Sequence, residues 1–167
     1  MKTLYLVRHA KSDWSDPALS DQQRPLNARG RRNAPAMAAR LARRYRPPQL
    51  LLSSPALRAL RTAQLFARGL GYRRSEIVIH PRLYASTASV LLRVVQALDD
   101  KFKRVMLFGH NPELSRLAQR LCDRIDQLPT CAVARFKFDV DSWRDVGHSP
   151  PVRTTVTMPT RIARRRR

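Results

Sequence analysis

Residues 4–14 read LYLVRHAKSDW, four apolar positions that end abruptly in Arg8 and His9. A run this short, bounded by charges, has the form of a central β-strand rather than a helix. Burying an unpaired charge is strongly unfavourable, so the two cations must emerge where the strand ends. Two later runs have the same form, QLLLSS at 49–54 and RVMLFG at 104–109, and EIVIH at 76–80 is a weaker candidate. Strands separated by helix-length segments predict a parallel sheet with crossover helices.

The connecting segments supply the helices. Met37, Leu41 and Tyr45 fall at i, i+4 and i+8, with arginines 40, 43, 44 and 46 on the opposite face. Pro35 either sits near a helix start after Asn33 or interrupts a helix that began near Asn27. In the next segment Ser54 reads as an N-cap and Pro55 as the first helical residue, with Gly69 and Gly71 marking the end. A third helix follows Ser86, and a fourth opens at Asn111 and Pro112. After Pro129 the period becomes two, from Ala132 to Asp139, and VRTTVTM at 152–158 is strand-like too. The expectation is one α/β domain over residues 1–160, three layers (α/β/α) around a mostly parallel sheet. The terminal RIARRRR at 161–167 reads as a mobile basic tail.

Composition bounds the function. The 167 residues carry 33 Lys and Arg against 12 Asp and Glu, a net charge of +21. Such a field attracts phosphates, nucleic acids or anionic surfaces without choosing among them. No zinc finger, recognition helix or aromatic-interleaved basic motif accompanies the charge, so no specific nucleic-acid partner is expected. Cys122 and Cys131 form no metal-ligand spacing, and no apolar stretch approaches the ~20 residues of a membrane span. A cytoplasmic monomer without metal or cofactor is the resulting expectation.

In an open α/β sheet, ligands bind beyond the carboxyl ends of the strands. Three strand ends should share that rim: the first brings Arg8 and His9, the second leads to Arg58, and the third gives His110. The segments VRHA (7–10), SSPALRALRTA (53–63) and FGHNP (108–112) together resemble the histidine phosphatase superfamily, which includes the cofactor-dependent phosphoglycerate mutases. RHAKS (8–12), RPLNARG (24–30) and FDVDSW (138–143) resemble more specifically the SixA-type phosphohistidine phosphatases. The resemblance implies that His9 is a nucleophile accepting a phosphoryl group, that Arg8 and Arg58 hold phosphate oxygens, and that His110 donates to the transferring group. Arg24 takes the place of a further substrate-side arginine.

The chemistry of these side chains is consistent with such roles. Histidine attacks phosphorus only when neutral, and nearby arginines disfavour its protonated form. Phosphoryl transfer rests mainly on positioning and fixed positive groups, which the planar guanidinium supplies well. Helix N-termini after Ser54 and Asn111 would add N–H donors. Members of the superfamily that cleave oxygen esters usually carry a carboxylic acid after the second helix, yet HPRLYASTASVLLRVV at 80–95 contains none. An alkoxide needs a proton from such a group, whereas imidazole leaves a P–N bond more readily. The substrate implied is therefore a phosphorylated one of the P–N class, such as a histidine-phosphorylated signalling or phosphotransfer protein. Glu113 or Asp13 could still provide the proton, leaving small phosphate esters as an alternative. A third possibility is a non-catalytic basic module that binds nucleic acid.

Overall fold

The computed structural model describes residues 1–160, so the expected tail at 161–167 lies outside the described residues. Six strands form one sheet: β1 (Lys2–Arg8), β2 (Leu50–Ser53), β3 (Ile77–Ile79), β4 (Arg104–Gly109), β5 (Val133–Phe138) and β6 (Arg153–Thr157). Their order is β3-β2-β4-β1-β5-β6. The first four run parallel, β5 pairs antiparallel with β1, and β6 antiparallel with β5. The four helices are α1 (Ala28–Arg44), α2 (Leu57–Leu70), α3 (Ala88–Gln96) and α4 (Glu113–Leu121).

Alternation along each strand builds the three layers. Leu4 and Leu6 of β1, with Val105 and Leu107 of β4, face the core that holds Leu91 and Val95 of α3 and Leu114 and Leu117 of α4. Tyr5 and Val7, with Met106 and Phe108, face the opposite core, where Met37 and Leu41 of α1 meet Ala63 and Phe66 of α2. Successive strand residues point to opposite faces; with helices on both sides, both sets of side chains are buried and the strand sequences read as continuous apolar runs.

One open local reading is settled and three others change. Helix α1 begins at Ala28, capped by the Asn27 side chain on the Gly30 N–H, and it contains Pro35. Of the two possibilities for Pro35, the longer helix is the one adopted. Helix α2 starts at Leu57 rather than Pro55, because the Ser54 hydroxyl accepts the Ala56 N–H in a local turn and the chain enters the helix only after Ala56. Gly69 lies inside α2 instead of ending it: a Cβ there would stand 2.7 Å from the Ala38 Cβ, so glycine lets α1 and α2 approach. The stop is Gly71, whose φ of 83° is the left-handed cap conformation. The third helix opens one residue later than expected, with Thr87 accepting the Val90 N–H.

Gly30 has a similar role nearer the rim. A Cβ on it would lie 2.3 Å from the Lys11 carbonyl oxygen, so only glycine allows the first turn of α1 to press against the segment after His9. Asn27 N–H also donates to that carbonyl at 2.9 Å. The chain leaving β1 is thus held by the helix that follows it.

Candidate active site

Strands β1, β2 and β4 are neighbours, and their carboxyl ends carry the residues that the sequence singled out. The His9 N–H donates to the Gly109 carbonyl at 3.0 Å, and the Ser54 N–H to the Phe108 carbonyl at 3.0 Å. The Cys131 N–H reaches the carbonyls of Arg8 and His9, each at 3.1 Å. The Thr62 hydroxyl accepts the Ala10 N–H at 2.9 Å and donates to the Arg58 carbonyl at 2.7 Å, tying α2 to the segment after β1. Nothing in the sequence marks Thr62 beyond its helical spacing from Arg58.

The structure brings together all five predicted residues. The His9 and His110 rings lie 5.2 Å apart between centroids. His9, Arg24 and Arg58 are each more than nine-tenths buried. Arg8 donates through Nη1 to the Leu128 carbonyl at 3.0 Å. Arg24 donates to the Ser12 hydroxyl at 3.3 Å, and its guanidinium lies 3.3 Å from the centre of the exposed Trp14 ring. Arg61, one turn beyond Arg58, is exposed and bonded to Gln64, as a surface arginine should be.

His9 Nδ1 lies 2.7 Å from the Ala10 carbonyl oxygen. A carbonyl can only accept, so Nδ1 carries the proton and, in the neutral ring, Nε2 keeps its lone pair. Burial lowers the His9 pKa to about 4; the hydrogen bond to the Ala10 carbonyl opposes it, and the charges of Arg58, Arg8 and Arg24, each smaller, act with burial. Desolvation therefore outweighs the arginines that the sequence reading put first. His110 is lowered to about 3, again chiefly by burial, with the neighbouring His9 next. Both rings are neutral at pH 7.

Among the described residues, the buried side-chain nitrogens or oxygens without a hydrogen-bond partner are Arg8 Nε, Arg58 Nε and His110 Nδ1. Buried polar groups are ordinarily satisfied, and all three orphans belong to the predicted site. His110 Nε2 is 2.7 Å from the Ser54 hydroxyl oxygen. With the Ser54 O–H donating to Nε2, His110 presents an Nδ1–H donor with no protein partner.

Two pocket residues escaped sequence reading. Asp21 opens a short 3-10 helix, Asp21–Gln23, and its carboxylate bonds Arg24 Nη2 at 2.7 Å and Arg58 Nη2 at 3.0 Å. The Tyr84 hydroxyl donates to the same carboxylate at 2.7 Å, while the Tyr84 ring stands edge-on to His110 at 5.6 Å. Partial desolvation pulls the Asp21 pKa up, but hydrogen bonds from Tyr84, Arg24 and Arg58 outweigh it and hold the carboxyl well below the usual range. The segment 80–95 thus supplies the pocket with a phenol where a carboxylic acid had been sought. Glu113 pairs with Arg116 of its own helix at 3.9 Å, and Asp13 accepts the Ser15 N–H at 2.8 Å. Neither bonds to a pocket residue. The N-terminus of α4 also offers less than expected, since the Leu114 and Ser115 N–H groups already donate to the His110 carbonyl and the Asn111 side chain.

Comparison with known proteins places this arrangement. An uncharacterised chloroplastic protein of Arabidopsis thaliana is 30% identical over 152 residues, spanning 86% of this chain and 70% of its own. An uncharacterised protein of Mycobacterium tuberculosis is 27% identical over 151 residues, 84% of this chain and 91% of its own. A candidate phosphohistidine phosphatase, SixA of Agrobacterium tumefaciens, superposes with a TM-score of 0.76 at 30% identity, covering 82% of this chain and 92% of that one. The fold also matches the protein histidine phosphatase SixA solved with tungstate, at a TM-score of 0.75 and 23% identity over 93% and 94% of the two chains. The profile of the histidine phosphatase superfamily (branch 1) matches residues 4–85, which hold Arg8, His9, Arg24 and Arg58. With the fold and the relatives in agreement, the chain belongs to the histidine phosphatase superfamily.

Proposed function

We propose that the chain hydrolyses a phosphorylated substrate through a covalent intermediate on His9, without a metal, and that the substrate is a phosphohistidine. The observation that carries this reading is the set of buried, partnerless donors, Arg8 Nε, Arg58 Nε and His110 Nδ1, around a neutral histidine whose free nitrogen is Nε2. Three guanidinium groups, Arg8, Arg24 and Arg58, stand against one carboxylate, Asp21, which suits a phosphate dianion.

In the first step the Nε2 lone pair of His9 attacks phosphorus as the bond to the leaving group breaks, and the leaving atom keeps that electron pair. Arg8, Arg58 and His110 donate to the equatorial oxygens, where charge is spread in the transition state. In the second step water attacks phospho-His9, the P–N bond breaks, His9 regains its lone pair, and the water's proton passes to solvent. An imidazole leaves as a neutral ring when its other nitrogen is protonated, so it needs no general acid. Asp21, held ionised, has no proton to give an alkoxide. The Agrobacterium relative and the tungstate-bound SixA are named for phosphohistidine chemistry, which supports the same substrate class.

One observation keeps a second reading open: the Tyr84 O–H beside His110 is a proton source for an oxygen leaving group, which would admit small phosphate esters. Comparative hydrolysis separates the two. Phosphohistidine, free or on a phosphotransfer domain, should be cleaved far faster than phosphoserine or sugar phosphates. Comparable rates would favour the ester reading. Brief incubation with labelled substrate should leave acid-labile, alkali-stable phosphate on the wild type, and a His9→Ala variant that retains full activity would overturn the proposed nucleophile.

A further inference from the structure

A carboxylate inside a phosphate site demands an explanation. The pocket's other charged groups are the arginines Arg8, Arg24 and Arg58, and Asp21, half exposed, engages two of them at once. The Arg58 terminal nitrogens are both taken by this residue, Nη1 by its backbone carbonyl at 2.6 Å and Nη2 by Oδ2 at 3.0 Å. Arg24 Nη2 is taken by Oδ1 at 2.7 Å, and Tyr84 adds its hydroxyl to Oδ2. The buried Arg58 Nε has no protein partner, and each terminal nitrogen spends only one of its two N–H groups on Asp21.

Resting on the phosphatase reading, we infer that Asp21 is a positioning residue and internal counter-anion, which holds Arg58 and Arg24 and competes with phosphate for them, so that inorganic phosphate is released readily after each turnover. A dianion among three uncompensated arginines would be bound tightly in the ground state and in the product complex alike. Such uniform binding does not raise kcat, and product release limits many enzymes. The Asp21 carboxylate lowers the pocket's net charge from three to two and leaves Arg8 Nε, Arg58 Nε and His110 Nδ1 without a protein partner. Its link to Tyr84 couples this balance to the segment at 80–95, which offers no carboxylic acid of its own.

The inference fixes the sign of an effect that a structural role would reverse. Asp21→Asn keeps the shape and one acceptor but removes the charge. Inorganic phosphate, titrated calorimetrically and assayed as a competitive inhibitor, should then bind about tenfold more tightly. KM should fall as well, while kcat falls or stays level. Asp21→Glu, which restores the charge, should bring phosphate affinity back toward the wild-type value. If the Asn variant does not fold, Asp21→Ser removes the same charge and must also tighten binding. Unchanged or weaker phosphate binding in the charge-removing variants overturns the inference while leaving the phosphatase reading intact. A wild-type protein that binds no phosphate overturns both.

Discussion

Each end of strand β1 carries a cation, Lys2 buried and Arg8 half-buried, and the two are treated in opposite ways. At the start, Lys2 is fully enclosed, and its ammonium donates to the carbonyls of Asp100 at 2.7 Å and Phe102 at 3.3 Å. It also pairs with the Asp100 carboxylate at 3.3 Å and faces the Trp143 ring at 5.4 Å. At the other end, Arg8 has one terminal nitrogen on the Leu128 carbonyl and a buried Nε with no partner. Burial alone lowers the Arg8 pKa, with no carboxylate to oppose it. A buried charge that the protein satisfies is architecture. One that it leaves unsatisfied is poised for something from outside.

The sharpest way to break that contrast is at the residue next to Arg8. His9→Ala should reduce turnover by about a thousandfold or more, as loss of a nucleophile does, with little change in the urea midpoint at neutral pH. Arg8→Ala should lower kcat/KM by roughly a hundredfold while costing little stability, because the cation removed was only partly compensated. Lys2→Ala should do the reverse, losing about 2–3 kcal/mol of stability through its vacated acceptors and cavity, with kcat unaltered. Finding either loss in the wrong assay would dissolve the distinction between the two ends.

A pH titration sharpens the same point more gently. With His9 lowered to about 4, the acid limb of kcat/KM, corrected for substrate ionisation, should lie near that value rather than near 6.5. Stability carries the corresponding sign. Between about pH 6.5 and 4 the unfolded histidine binds a proton that the folded one does not. The urea midpoint should therefore fall as the pH is lowered through that window, and replacing His9 with Ala should flatten the slope. The smallest effect belongs to Tyr84→Phe, which keeps the ring against His110 and removes one donor to Asp21. A severalfold change in kcat/KM is expected, growing with leaving-group basicity only if the phenol donates its proton.

How much of this was legible follows from the range of the interactions. Arg8, His9, Arg58 and His110 could be placed because each sits at, or one helical turn beyond, the end of an apolar run, and the parallel-sheet rule sends those ends to one rim. The two-face burial of β1 and β4 was implicit in their unbroken apolar sequences. Asp21 and Tyr84 could not be found this way. They are 63 positions apart, lie in or beside short 3-10 segments without apolar periodicity, and acquire meaning only through contacts across the pocket, with each other, with Arg58 and with His110. Ser54 and Gly69 misled for a related reason. A serine before Pro55 and a glycine before Gly71 fit local capping rules, but the serine hydroxyl is divided between the Ala56 N–H and the distant His110, and the glycine answers to Ala38.

The strand order has a consequence for how the protein comes into being. β4 is inserted between β1 and β2, although both are synthesised long before it. No nascent chain that stops short of His110 can close the rim, and pairings of such sequence separation form slowly. His9, Arg8 and Arg58 must therefore wait, incompletely enclosed, for β4 to slot in. Phosphate or tungstate should accordingly protect only the completed fold, which makes anion-induced thermal stabilisation a gauge of correct maturation during expression.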